Sequence, residues 1–224
     1  MKNVIIIATG AVAAEITSYI EDTDMGIKDG LCIKGYLEYE YNIEKYYNNY
    51  HYLKPILGDI DSYYPQEDDY FILGVSNIPF REKVIETMKS KNAKFCTIIH
   101  PSSIIAKTAK IGEGCFISPF CTIGPNASIG NFNHLTSYSF ISHDSEIGNN
   151  NVLSSAGLCG HVKIGNNNSF YVRSVVIPEI TIGDNCVIQA GMVVDKNVPD
   201  NSIIFHRFKE KVIAVPQESL SNNK

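Results

Sequence analysis

The stretch IGEGCFISPFCTIGPNASIG, residues 111–130, decides the fold of this 224-residue chain. It has an isoleucine at every sixth position, and the period continues in both directions. Two runs are in register, the second beginning one residue early: Ile105, Ile111, Ile117, Ile123, Ile129, Leu135, Ile141, Ile147 and Leu153, then Leu158, Ile164, Phe170, Val176, Ile182, Ile188 and Val194. Neither a helix nor an ordinary alternating strand has a period of six. A triangular parallel β-solenoid does, and with three hexads per coil the pattern predicts about five coils.

The corners of such a coil need tight turns, and the sequence supplies residues suited to them. Asparagine runs occupy 149–151 and 166–168, and asparagine tolerates left-handed backbone angles. The step from Leu153 to Leu158 is five, so we expect one residue to be missing from the corner between them.

The chain before residue 98 has a different pattern. Strands and helices alternate, which predicts a small parallel sheet of Rossmann type. The predicted elements, in chain order, are strand Val4–Ile7, helix Ala11–Glu21, strand Cys32–Leu37, a Tyr- and Asn-rich loop Tyr39–Tyr52, strand Tyr70–Val75 and helix Pro79–Ser90. We therefore divide the chain into a Rossmann-like domain (1–97), a β-helix domain (98–204) and a C-terminal tail (205–224).

Composition excludes several classes of protein. The formal net charge is −5 and only 19% of residues are charged, so a nucleic-acid binder with a basic face is not expected. No apolar run approaches the roughly 20 residues of a membrane span, and the N-terminus does not look like a signal peptide. Six cysteines without a CxxC pair predict reduced thiols in a cytoplasmic protein and no zinc ribbon.

Three segments carry a resemblance to a known family: IGEGCFISPFCTIGPNASIG, ISHDSEIGNNN and VKIGNNNSFYVRSVVIPEITIGDN. They look like the left-handed β-helix (hexapeptide-repeat) acyltransferases. With the small Rossmann-like domain in front, the chain resembles the sugar O-/N-acetyltransferases, which include bacillosamine-pathway and sialic acid acetyltransferases. The resemblance implies a left-handed coil, acetyl-CoA as co-substrate, and a homotrimer with active sites between neighbouring coils.

His143 is the candidate general base. It lies two residues after the inward Ile141, so its side chain should leave the coil, and Asp144 could fix its tautomer. In the resembling family a histidine here accepts the proton and the acidic neighbour assists it. The alternative is a surface histidine at a turn.

The resemblance assigns acetyl-CoA contacts to Val152, Gly160, Val172 and Ala190. Gly160 lies where the repeat slips, and a glycine there lets the backbone approach a ligand closely. Its amide would face the acetyl carbonyl; the alternative is an ordinary corner glycine. Val152 departs from the family, in which a histidine is common at this position.

The candidate contacts with the nucleotide sugar lie in the first domain. Thr9, Gly10 and Ala11 form a turn whose N–H groups could face a phosphate at a helix start. Glu38 follows the second strand, where Rossmann folds often hold a ribose or base, and Ser76 follows the third. The loop ATGAVA lacks the family's glycine cluster and histidine, and the second acidic residue is replaced by Tyr39.

We predict transfer of an acetyl group from acetyl-CoA to the amine of a nucleotide-linked amino sugar. Two alternatives stay open: a sugar O-acetyltransferase of the sialic acid type, and an inactive β-helix protein that only binds a sugar nucleotide. A zinc site formed by His134, His143 and His161, as in γ-type carbonic anhydrases, is not expected, because the spacing shows no paired ligands.

Overall fold

The computed structural model describes residues 2–23, 30–39, 42–43 and 47–205. In the first part of the chain, five parallel strands form one sheet in the order β3-β2-β1-β4-β5, a doubly wound arrangement. Its elements are β1 (Lys2–Ile7), α1 (Ala11–Glu21), β2 (Leu31–Leu37), a 3₁₀ turn (Tyr47–Asn49), β3 (Ile56–Gly58), β4 (Asp69–Leu73), α2 (Ile78–Ser90) and β5 (Lys94–Phe95). The three strands and two helices predicted from the sequence are present, with ends shifted by up to two residues. The sequence did not predict strands β3 and β5, because strands of three and two residues are too short to show a periodic pattern.

From Ile98 onward the chain winds into a left-handed parallel β-helix, as the resemblance implied. Its strands are two residues long, an outward residue followed by an inward one, and they stack into three sheets. The first face holds Ile98–Ile99, Phe116–Ile117, His134–Leu135, Val152–Leu153, Ser169–Phe170, Val187–Ile188 and Ile203–Ile204; the second holds Ile104–Ile105, Thr122–Ile123, Phe140–Ile141, Gly157–Leu158, Val175–Val176 and Val193–Val194; the third holds Lys110–Ile111, Ser128–Ile129, Glu146–Ile147, Lys163–Ile164 and Thr181–Ile182.

The predicted hexad residues are the inward residues of these strands, and all from Ile117 to Val194 are buried in one core. The asparagines lie at the corners as expected, with φ of 54° at Asn150 and 60° at Asn167. Ser155, with φ of 46°, turns the corner that lacks one residue. The period therefore works because most corners hold a residue with a positive φ and each face admits one inward side chain.

The outward residues give the three faces different characters. The first, which we call the domain face, is covered at its start by the N-terminal part of the chain, including Tyr19 of α1: Ile98, Phe116 and His134 are buried there. The second, the apolar face, presents Ile104, Phe140, Val175 and Val193, and a Cβ on its Gly157 would strike the ring of Phe140. The third, the charged face, presents the exposed residues Lys110, Ser128, Glu146, Lys163 and Thr181. An uncovered apolar face on one side of a prism is typical of an interaction surface.

The buried guanidinium of Arg81 joins α2 to the β-helix. Its Nε donates to Asn150 Oδ1 at 2.8 Å, one terminal nitrogen donates to the Val75 carbonyl at 2.7 Å, and the other donates to the Phe132 carbonyl. Burial lowers its pKa to about 10. Burial also lowers the pKa of the nearby His134 to about 3, so this imidazole is uncharged.

No helix among the described residues has the length and apolar character needed to cross a membrane.

Candidate functional site

His143 and Asp144 form a hydrogen-bonded pair at the corner between the apolar face and the charged face. His143 Nδ1 lies 2.8 Å from Asp144 Oδ2, and the two side chains are 57% and 39% exposed. Since a carboxylate only accepts, Nδ1 is the donor of this hydrogen bond, and in the neutral imidazole Nε2 then has its lone pair free. The side chain leaves the coil, as predicted, and its free nitrogen is suited to accept a proton from a reactant.

Asp144 is itself held from the coil below. Asn126 lies 18 residues earlier at the same corner, and its Nδ2 donates to Asp144 Oδ1 at 3.0 Å. Hydrogen bonds from Asn126 and His143 keep the pKa of the Asp144 carboxyl below its ordinary value. The carboxylate is therefore ionised near neutral pH and fixed in orientation. Sequence analysis missed Asn126, although the 18-residue coil length could have identified it.

Gly160 lies directly against the imidazole of His143. A Cβ built on Gly160 would be 2.7 Å from Cε1 and 2.8 Å from Nε2 of His143, well inside van der Waals contact. Gly160 lies one coil later than His143, and because it has no side chain it leaves room for the imidazole ring of His143. Of the four residues assigned to acetyl-CoA, Gly160 is the one that the single chain brings to His143.

We expect Gly160→Ala to lower kcat about 100-fold, because the new methyl group must push the ring away from its position and misplacements near 1 Å cost about that factor. Steady-state kinetics with a thermal-melting control would measure this. Gly160→Leu should have a larger effect. Unchanged kinetics in both variants, with the fold intact, would remove Gly160 from the site.

A cavity of about 370 Å³ opens at the carboxyl ends of β1, β2 and β4. This is where open α/β sheets bind ligands, since neighbouring crossovers diverge at that edge. Its lining includes four of the five residues expected to contact the nucleotide sugar: Gly10, Ala11, Glu38 and Ser76. The cavity meets the first turn of α1, which begins without a side-chain cap.

Glu38 has a different immediate environment from the expected ribose contact. The residue is buried, and its Oε2 accepts from both the N–H and the hydroxyl of Thr9 at 2.8 and 2.9 Å. Its Oε1 accepts from the Tyr39 N–H and from Asn42 Nδ2. The carboxylate thus fixes the loop after β1, and Thr9 is buried behind the cavity rather than lining it.

A second cavity, of about 500 Å³, lies between the start of α2 and the domain face. Ser76 and Asn77 line both cavities, so the two are neighbours. Val152 lines the second cavity, together with Ser154 and Tyr171 at the corner where the domain face meets the apolar face. Val172 and Ala190 are exposed at that same corner. In one chain these residues are therefore on a different corner from His143 and Gly160.

One group of side chains among the described residues has the composition of a metal site. His143, Asp144 and His161 offer ligand atoms within 4.8 Å of one another, all at the exposed corner. His161 stacks edge-on to His143, with ring centroids 5.2 Å apart. His134, the third histidine considered in the sequence, is buried on the domain face against Phe116 and does not join them.

A doubly wound domain followed by a left-handed β-helix is a fold that this chain shares with solved structures. A family model, the GMPPB C-terminal domain, matches residues 99–207. PerB of Caulobacter crescentus, solved with CoA and GDP-perosamine, is similar at a TM-score of 0.76 and 20% identity, over 91% of this chain and 93% of PerB. The acetyltransferase domain of PglB from Neisseria gonorrhoeae is similar at 0.76 and 16% identity, over 91% and 96%. Curated proteins give no match.

Proposed function

We propose that this protein transfers the acetyl group of acetyl-CoA to the amine of a nucleotide-linked amino sugar. The observation that carries the proposal is the His143–Asp144 pair, in which the side chain of His143 leaves the coil and is 57% exposed. Among the similar structures, PerB is a GDP-perosamine N-acetyltransferase and the PglB domain was crystallised with acetyl-CoA. Their shared fold supports this choice of reaction.

In this proposal His143 Nε2 takes a proton from the sugar amine as the nitrogen attacks the thioester carbon. The C–N bond forms, the carbonyl oxygen becomes an oxyanion, and the C–S bond then breaks. The proton held by His143 passes to the departing CoA thiolate. Asp144 stabilises the imidazolium that exists between the two transfers, because it stays ionised and hydrogen-bonded to Nδ1.

The sugar nucleotide fits the two neighbouring cavities. The nucleoside diphosphate would occupy the cavity at Gly10 and Ala11, where uncapped N–H groups of α1 favour an anion. The sugar would extend past Ser76 into the second cavity, toward the corner at Tyr171. The reacting amine would then lie at the edge of the apolar face opposite to His143 of the same chain.

In a threefold assembly, His143 of one chain would lie close to the sugar amine bound by a neighbouring chain. If the apolar faces pack together in a homotrimer, the His143 corner of one chain meets the Tyr171 corner of its neighbour. The acetyl-CoA residues Val172 and Ala190 on one chain and Gly160 on the next would then line a single groove. The apolar, uncovered character of this face supports the assembly.

We expect light scattering at micromolar concentration to give a mass near three times the 24.9 kDa chain. Val175→Lys places a charge on the apolar face and should lower both the mass and the transfer activity. Thr181→Lys makes a matched change on the charged face and should alter neither. A monomeric wild type with full activity would contradict the shared site.

The function itself is tested by incubating the protein with labelled acetyl-CoA and a panel of amino-sugar nucleotides. The proposal predicts a labelled product that resists alkaline hydroxylamine, because an amide forms. A hydroxylamine-sensitive product would indicate the sugar O-acetyltransferase, and sugar-nucleotide binding without transfer would indicate an inactive binding protein.

All six cysteines are free thiols, which supports the cytoplasm as the compartment of the reaction.

A further inference from the structure

The hydroxyl group of Tyr52 lies against the loop that follows β1. It donates to the main-chain carbonyl of Thr9 at 3.1 Å and to that of Gly10 at 3.2 Å, so a single proton is shared between two acceptors. Tyr52 comes from the Tyr- and Asn-rich segment that the sequence left without a role. Its ring packs on Tyr36 and Tyr47, with centroids 4.3 and 5.5 Å away.

The loop needs such support because it lacks glycine where its backbone is most constrained. Ala8 has a φ of +80°, a conformation that glycine adopts at little cost and alanine does not. Behind the loop, Glu38 accepts from the N–H and hydroxyl of Thr9. The conformation is thus held from one side by a carboxylate and from the other by the Tyr52 hydroxyl.

The hydrogen bonds from Tyr52 affect which backbone groups of the loop face the cavity, and therefore how well the cavity binds an anion. Carbonyl oxygens carry partial negative charge, and those of Thr9 and Gly10 both accept from the tyrosine. The Gly10 carbonyl is also held by the Ala14 N–H of α1 at 3.1 Å, so of the two it is the Thr9 carbonyl whose direction depends on Tyr52. The cavity is lined instead by Gly10, Ala11 and Val12 at the uncapped start of α1. Burial raises the pKa of Tyr52, so its hydroxyl keeps the proton that these two hydrogen bonds require.

We propose that Tyr52 is a positioning residue for the diphosphate of the sugar nucleotide: its hydroxyl fixes the Thr9–Gly10 peptide so that N–H groups, and not carbonyl oxygens, face the anion. The inference rests on the proposed function for the identity of the ligand.

Tyr52→Phe tests this directly, because it removes the hydroxyl and keeps the ring packing. We expect the KM for the sugar nucleotide to rise about tenfold, as for one lost hydrogen bond, with the KM for acetyl-CoA and kcat nearly unchanged. The matched control is Tyr47→Phe, which removes a hydroxyl from the same cluster, where it donates to the Lys54 carbonyl and not to the loop. The control should leave all three constants unchanged.

Two further measurements keep the test independent of the reaction. Calorimetric titration with UDP and GDP should show weaker binding by Tyr52→Phe than by Tyr47→Phe, and hydrogen exchange of the Gly10 and Ala11 amides should be faster in Tyr52→Phe alone. If the wild type binds nucleotide but transfers no acetyl group, the proposed function fails while these measurements still decide the role of Tyr52. Equal behaviour of the two variants in binding and exchange would overturn the inference.

Discussion

Replacing His143 by alanine should lower kcat by about 10²–10⁴-fold, with little change in the KM for acetyl-CoA. A positioned general base contributes on that order, and in the structure the free Nε2 of His143 is oriented by Asp144 and lies on the open side of the coil. Steady-state kinetics with saturating sugar nucleotide would measure the effect. Thermal melting should stay unchanged, because the removed side chain is mostly exposed.

Neighbouring variants separate a base from a structural histidine. Asp144→Asn should cost less than His143→Ala, since the imidazole remains in place and loses only its ionised partner. His161→Asn alters the same corner one coil later and removes a ring contact of His143, but it leaves the His143–Asp144 hydrogen bond in place, and it should keep more than about a tenth of the activity. If His143→Ala keeps most of its activity, deprotonation of the amine by solvent becomes the simpler account.

Replacing Arg81 by methionine should destabilise the protein by about 3 kcal/mol. The change removes three buried donors and leaves the carbonyls of Val75 and Phe132 and the amide oxygen of Asn150 without them. Each buried acceptor left unsatisfied costs about 1–3 kcal/mol, partly offset because a charged group is no longer desolvated. The melting temperature should fall by about 6–12 °C for a chain of this size.

Lys89 provides a matched control on the same helix. It forms an exposed ion pair with Glu113 at 3.8 Å, which also links α2 to the β-helix, and such pairs contribute little. Lys89→Met should therefore lower the melting temperature by no more than a few degrees. If the melting temperatures of Arg81→Met and Lys89→Met are the same, the guanidinium of Arg81 does not hold the two parts of the chain together.

The sequence predicted the β-helix closely because its signal is local. A residue every six positions must point inward, so the core residues from Ile117 to Val194 could be read directly. The outward position of His143 followed from the same count, two residues after Ile141. The N-terminal sheet was predicted in outline, but its short strands Ile56–Gly58 and Lys94–Phe95 were not, since they are set by pairing with neighbours rather than by pattern.

By itself, then, the sequence determined the coil and its corners and placed His143 outside the core, because all three depend on spacing along the chain. The tertiary structure decided which groups surround them. Arg81 reaches Asn150 across 69 residues, and Tyr52 reaches Thr9 across 43. Such hydrogen bonds depend on how the separately folded elements pack, and no spacing along the chain encodes that. The same packing covers one face of the β-helix and leaves the apolar face open beside His143.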